Sequence, residues 1–195
     1  MGLYDAGPAL GTLRQKADRL VSQILEHNVR LFVGPDSAMR PIRTLVPRVR
    51  IFALTSAPAA LALVLTDEVH EALHAANGTG EWLDFATEES GPRLTTTDMA
   101  FAARASIGSA LAWIETCYDG GHGEQVAAAW IDGALAMKPN LLRAKENRPR
   151  SLRPINVALR LLGLTPSIAG HDEFEAFGLT HFRSNEAILQ RAREV

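Results

Sequence analysis

Apolar residues recur at three- and four-residue spacing through most of the chain, which is the pattern of amphipathic helices. The clearest stripe lies in residues 10–24, where charged and polar residues fill the opposite face. Thr95 and Asp98 have the spacing of a capping box ahead of one of these stripes. The predicted helices cover residues 10–24, 56–76, 96–118, 126–137, 152–162 and 185–193.

Two short segments that are rich in β-branched and aromatic residues interrupt this pattern. Residues 29–33 and 49–54 predict a pair of strands. The segment 35–47 between them contains three prolines, so we expect it to be irregular. The predicted fold is therefore a mostly α-helical single domain over residues 1–195, a bundle of about six helices with a short two-stranded β element.

Composition excludes several classes of protein. With 47% hydrophobic and 22% charged residues, the 195-residue chain is neither disordered nor fibrous, and its net charge of -2 argues against a general polyanion binder. A single cysteine, Cys117, excludes an intrachain disulfide and favours a reducing, cytoplasmic compartment. No apolar stretch approaches the ~20 residues of a membrane span, so no membrane partner is expected. The excess of arginine over lysine suggests a GC-rich bacterial or phage genome.

One motif has a spacing that suits metal chemistry. His70 and His74 lie four residues apart in a predicted helix, with Glu71 directly after the first of them. Side chains four residues apart share one helix face, so both imidazoles can reach a single metal ion. The alternative interpretation is that these residues form an ordinary polar helix face together with Asp67.

The His-Glu-x-x-His motif resembles that of the zincin metallopeptidases. The resemblance implies that His70 and His74 bind zinc and that Glu71 is the general base. Farther along, Glu115 and Asp119 form a Glu-x-x-x-Asp motif similar to that of the thermolysin and neprilysin branch. By this resemblance Glu115 is the third zinc ligand, and Asp119 orients a ligand histidine.

A glycine-rich segment follows this second motif and contains His122. A histidine in a flexible loop beside Glu115 suits a catalytic or oxyanion-stabilising role. The same segment is also typical of a simple connection between two helices. It lacks the lysine and the Ser or Thr of a phosphate-binding loop, so it gives little support to nucleotide binding.

Basic residues are concentrated in segment 138–160, where Arg148, Arg150 and Arg153 are the densest group. They predict either a site for nucleic acid or another anionic partner, or a solvated basic face. Two functions follow from the whole sequence. One is a zinc-dependent, peptidase-like hydrolase; the other is a non-catalytic helical adaptor, regulatory or assembly protein that binds an anionic partner or self-associates through its apolar helices.

Overall fold

The computed structural model describes residues 27–47, 49–53, 60–81, 83, 94–119, 122–165 and 178–179. Within these residues the chain forms six β-strands, four α-helices and one short 3₁₀ helix at Arg150–Leu152. The strands are β1 His27–Gly34, β2 Ile51–Ala53, β3 Leu61–Val64, β4 Ala110–Asp119, β5 His122–Ile131 and β6 Ala134–Leu142. The helices are α1 Asp36–Leu45, α2 Asp67–Asn77, α3 Thr96–Ala105 and α4 Pro154–Leu161.

The six strands form one antiparallel sheet in the order β2-β3-β1-β4-β5-β6. The long strands β4 and β5 lie in its interior, and their register runs from Ala110 opposite Ile131 to Asp119 opposite His122. The strands β4, β5 and β6 follow one another as a meander. In contrast, β1 lies between β3 and β4, so chain segments distant in sequence meet in the middle of the sheet.

Helices cover both faces of the sheet, which gives three layers. On the face that we call the first face, Phe32, Trp113 and Trp130 pack against buried residues of α1, α2 and α3. On the second face, Ala112 and Ile114 belong to a separate buried cluster with residues of α4. The helix residues of the first cluster include Met39, Ile42, Leu73 and Phe101, and those of the second include Ile155, Ala158 and Leu159.

The predicted mostly α-helical bundle is wrong, because the sheet is the centre of the structure. Residues 96–118 are not one helix: α3 ends at Ala105 and β4 begins at Ala110. Residues 126–137 form parts of β5 and β6 with a turn between them. Because β4 and β5 are buried on both faces over much of their length, they lack the polar alternation that identifies a strand, and the alanines of β5 favour helix in sequence patterns.

The remaining predicted elements have mixed outcomes. The helix predicted for 56–76 is wrong over Leu61–Val64, which form β3, and is confirmed only from Asp67, where α2 begins. The segments 29–33 and 49–54, predicted as a pair of strands, contain parts of β1 and β2. These two strands do not pair with each other, because β3 lies between them. The proline-containing segment 35–47 forms α1 despite Pro41, because Ala38, Met39 and Ile42 are buried against the sheet. The helix predicted for 152–162 is confirmed as α4. The helices predicted for 10–24 and 185–193 lie outside the described residues.

A two-residue turn joins β5 to β6 and sets the pairing of Ile131 with Ala134 beside it, before the register shifts between Ala127 and Trp130. Asp132 and Gly133 both have positive φ, 48° and 77°, as Asp-Gly hairpin turns require. The Asp132 carboxylate accepts a hydrogen bond from the Gly108 N–H at 2.8 Å, and the Asp132 N–H donates to the Ser109 carbonyl at 2.8 Å. The turn is therefore tied to the connection between α3 and β4.

The substitution Gly133→Ala should lower the free energy of unfolding by about 2 kcal/mol. About half of this loss comes from the positive φ, and the rest from the added Cβ, which would lie 3.2 Å from Ile107 Cγ1. Gly163→Ala is the matched control, since Gly163 has φ 78° but no atom within 4 Å of an added Cβ. Urea unfolding measures both variants. An equal loss in both would contradict the contact with Ile107.

Candidate metal centre

Helix α2 positions the two histidines of the motif. Thr66 caps the helix, since its hydroxyl oxygen accepts the Val69 N–H at 3.2 Å. Val69 and Leu73 are buried, which fixes the rotation of α2 on the first face of the sheet. His70 and His74 then lie one turn apart with their ring centroids 4.0 Å apart. Their side chains are only 13% and 15% exposed.

The third member of the group, Asp98, comes from the first turn of α3. Thr95 and Asp98 form a complete capping box, and the Asp98 side chain is 4% exposed. Asp98 Oδ2 accepts both the N–H and the O–H of Thr95, each at 2.8 Å. The other oxygen, Oδ1, lies 3.7 Å from His70 Nδ1 and 3.5 Å from His74 Nε2. The cap therefore fixes one carboxylate oxygen and leaves the other facing both imidazoles.

Thr95 also touches one of the imidazoles directly. Its hydroxyl oxygen lies 3.1 Å from His74 Nε2 and accepts the Asp98 N–H at 3.1 Å. The start of α3 is thus bonded to the end of α2 by side chains of both helices. This contact holds the His74 ring in place beside Asp98. Because the Thr95 hydroxyl proton goes to Asp98, His74 Nε2 is the donor in this contact, and a metal ion at this nitrogen would displace its proton.

Burial favours the neutral form of one histidine. The pKa of His70 lies below its ordinary value, chiefly because burial penalises the charged ring, with the positive charges of His74 and Arg30 acting in the same direction. Asp98 and, more weakly, Asp67 oppose this shift of the pKa. A neutral imidazole keeps a nitrogen lone pair, which is the form that binds metal ions.

The structure does not bring Glu115, the third ligand implied by the zincin resemblance, into this group. Glu115 lies on β4 directly opposite Arg30 of β1, and Arg30 Nε lies 3.4 Å from Glu115 Oε1. Both side chains are 10% exposed. A buried carboxylate needs a partner, and here the partner is a guanidinium on the neighbouring strand.

The other residues of the predicted site lie in different places. Glu71 is exposed on α2, directly after His70. Asp119 and His122 are opposite each other where β4 and β5 meet, but their side chains lie outside what the structure describes. Sequence reasoning recognised Asp98 as part of a helix cap but not as a neighbour of the histidines. The capping box at Thr95 and Asp98 was the only signal for Asp98 in the sequence. The packing of α2 against α3 is what places its carboxylate beside the two histidines.

The basic segment lies away from these histidines, beyond β6. Arg148 is ion-paired with Glu146 and donates a hydrogen bond to Asn140 Oδ1 at 3.1 Å. Arg150 is in the 3₁₀ helix, and Arg153 precedes α4, which packs on the second face. The predicted basic residues are therefore separated by the sheet from the His70–His74–Asp98 group.

A groove on the first face runs beside α2. Arg50, Thr66 and Glu68 contribute the polar part of its lining, and none of the three clustered donor residues belongs to it. Its apolar lining consists of Leu45, Val46, Pro47, Val49, Val64, Val69 and Ala72. Among the described residues, no helix has both the length and the apolar character needed to cross a bilayer.

Comparison with known proteins gives no guide to the chemistry of this group. No protein-family model, curated protein or solved structure matches the chain. The function must therefore be inferred from the side chains themselves.

The pKa of His70 predicts a loss of stability in mild acid. Because the folded-state pKa lies below the unfolded value of about 6.5, protonation favours the unfolded chain. The contribution of neutral His70 to the free energy of unfolding is complete above about pH 6.5. It is lost progressively as the pH falls toward the lowered folded-state pKa. Urea unfolding of EDTA-treated protein at several pH values measures this slope. His70→Gln should reduce the slope; an unchanged slope in this variant would contradict the assignment.

Proposed function

We propose that the protein binds zinc through His70, His74 and Asp98. The observation that carries the proposal is that one donor atom from each of these residues lies within 4.8 Å of the other two. Two imidazole nitrogens and one carboxylate oxygen are a ligand set that zinc takes in proteins. Magnesium and calcium prefer sites made of oxygen atoms, so this donor set favours a transition metal.

The spacing of the donors is compatible with one small metal ion. Ligand atoms of a tetrahedral zinc site lie about 3.4 Å apart. Asp98 Oδ1 lies 3.5 Å and 3.7 Å from the two imidazole nitrogens, and the three donor atoms all lie within 4.8 Å of one another. Small rotations of the side chains would complete the site.

The surroundings of the donors support the same proposal. The Thr95 cap holds the Asp98 carboxylate in its orientation, which is the role that residues behind metal ligands play in known sites. The lowered pKa of His70 keeps its ring available near neutral pH. Three protein ligands leave one tetrahedral position for a further ligand. The partial exposure of His70 and His74 gives that ligand access.

A zinc-dependent, peptidase-like hydrolase is the second candidate. The observation that favours it is the position of Glu71, which is exposed next to His70 where a general base can meet solvent and substrate. Bound zinc would supply Lewis-acid chemistry there. The groove beside α2 does not include the donor residues, so it is not the cleft in which this candidate would bind its substrate. We place this function in the cytoplasm, where Cys117 stays a thiol.

Metal titration of EDTA-treated protein tests the proposed site. We expect one Zn²⁺ per chain by calorimetry, and the intense visible absorption of tetrahedral Co²⁺ in the cobalt form. His74→Gln and Asp98→Asn each remove a ligand and should weaken binding at least about 100-fold. Glu115→Gln should weaken binding far less than loss of a ligand, because Glu115 is paired with Arg30 and is outside the donor group.

The matched control for Asp98→Asn is Asp36→Asn, which changes a carboxylate on α1 that is paired with Arg40 and Arg43. Circular dichroism and urea unfolding verify that each variant is folded. Loss of metal binding in Glu115→Gln but not in Asp98→Asn would replace the proposed ligand set with the one implied by the zincin resemblance. Absence of a stoichiometric site in the folded wild type would refute the proposal.

The hydrolase candidate makes a separate prediction about Glu71. Zinc-loaded protein should cleave a mixture of fluorogenic peptides, EDTA should abolish the cleavage, and Glu71→Gln should slow it about 100-fold or more. The zinc affinity of Glu71→Gln should remain that of the wild type, because Glu71 is outside the donor group. If the zinc-loaded wild type shows no cleavage, the hydrolase candidate is wrong and the zinc-binding proposal stands.

A further inference from the structure

Charge is strongly segregated in this chain. Residues 143–160 contain six basic residues and one acid, whereas the other 177 residues have a net charge of -7. We call the basic group the arginine face. It consists of Arg143, Lys145, Arg148, Arg150, Arg153 and Arg160. Since the Debye length is about 10 Å at 0.1 M salt, a local group of this kind attracts anions even on a protein that is acidic as a whole.

Hydrogen bonds to three main-chain carbonyls fold this segment on itself. Arg153 Nε donates to the Arg148 carbonyl at 3.5 Å, and the Arg160 guanidinium donates to the Ser151 carbonyl at 3.2 Å and 3.3 Å. Asn156, which is 2% exposed, donates to the carbonyl of Arg150 at 2.9 Å. These bonds hold the 3₁₀ helix against α4. Arg143, Lys145, Arg150 and Arg160 are exposed, whereas Arg148 and Arg153 are half-buried and Arg148 is also paired with Glu146.

An exposed leucine stands among these charges. Leu152 is in the 3₁₀ helix between Arg150 and Arg153, and it is 56% exposed. More than half of its surface stays in water, so its burial contributes less to folding than that of a core leucine. An apolar side chain flanked by arginines is the arrangement found where a protein contacts the boundary between lipid headgroups and acyl chains.

We propose that the arginine face docks on an anionic phospholipid membrane, with Leu152 inserted between the headgroups. Arginine forks bind the phosphates and carboxylates of the headgroups, and clusters of four to eight basic residues are typical of such contacts. The expectation of no membrane partner was based on the lack of a spanning segment, which a surface contact does not need. The acidic remainder of the chain favours one orientation, with the arginine face toward the lipid.

Nucleic acid is the less favoured partner. The segment 143–160 contains no aromatic residue on which bases could stack, and an exposed leucine contributes nothing to contacts with phosphates. The two classes of partner differ in their dependence on Leu152. An experiment on Leu152 variants can therefore distinguish membrane binding from nucleic-acid binding. Because α4 packs on the second face of the sheet, the result does not depend on the proposed zinc site.

Cosedimentation of the full-length protein with lipid vesicles tests the proposal. We expect binding to phosphatidylcholine vesicles in which about a third of the lipid is phosphatidylserine, and no binding to phosphatidylcholine alone. High salt should weaken the binding. The double variant Arg150→Gln/Arg153→Gln should bind about 30-fold more weakly, and Leu152→Ser about tenfold more weakly.

Matched controls come from the opposite side of the sheet and from another exposed leucine. Arg40→Gln/Arg43→Gln removes two arginines from α1, and Leu135→Ser changes a side chain that is 39% exposed on β6. Both should bind like the wild type, and circular dichroism verifies folding. Equal binding to neutral vesicles, or full binding by Leu152→Ser, would overturn the proposal. A third result would also overturn it: the wild type does not bind vesicles but binds duplex DNA in a salt-sensitive manner, and the double arginine variant loses this binding. That result would assign the arginine face to nucleic acid.

Discussion

Burial of the central strands on both faces is the constraint on which the rest of this structure depends. Strands β1, β4 and β5 are covered by three helices on one side and by α4 on the other. Most of their buried side chains must therefore be apolar in both directions, and helices must be available for both layers. On the first face this requirement packs α2 beside α3. That contact brings two histidines and a capping carboxylate together.

Two groups of buried polar side chains in the described part of the first layer are paired across elements. Arg30 and Glu115 join two neighbouring strands, while His70, His74 and Asp98 join two helices. Charged groups in such places are costly unless a partner is near, so each pairing also restricts how the elements can pack. The capping box adds a second restriction, because it fixes the carboxylate of Asp98 by the backbone of α3 itself.

The proposed zinc site and the arginine face lie on opposite sides of the sheet and bind their ligands through different interactions. The donor group is small, largely buried and defined by the positions of a few atoms. The arginine face is exposed and acts through the sum of its charges and one apolar side chain. A rigid sheet between them allows each to work independently. A protein with both would carry a metal ion on its first face while its second layer contacts a membrane surface.

The sequence by itself determined the local features: the helical spacing of His70 and His74, the cap at Thr95 and the end of α4 before Gly163. These features depend on residues within about one or two helical turns of each other, so they can be predicted from a single sequence. Only the tertiary structure decided that residues 110–119 are a strand and that Asp98, not Glu115, joins the histidines. Doubly buried strands lose their alternation, and the partner of a carboxylate is set by strand register and helix packing, which bring together residues far apart in the chain.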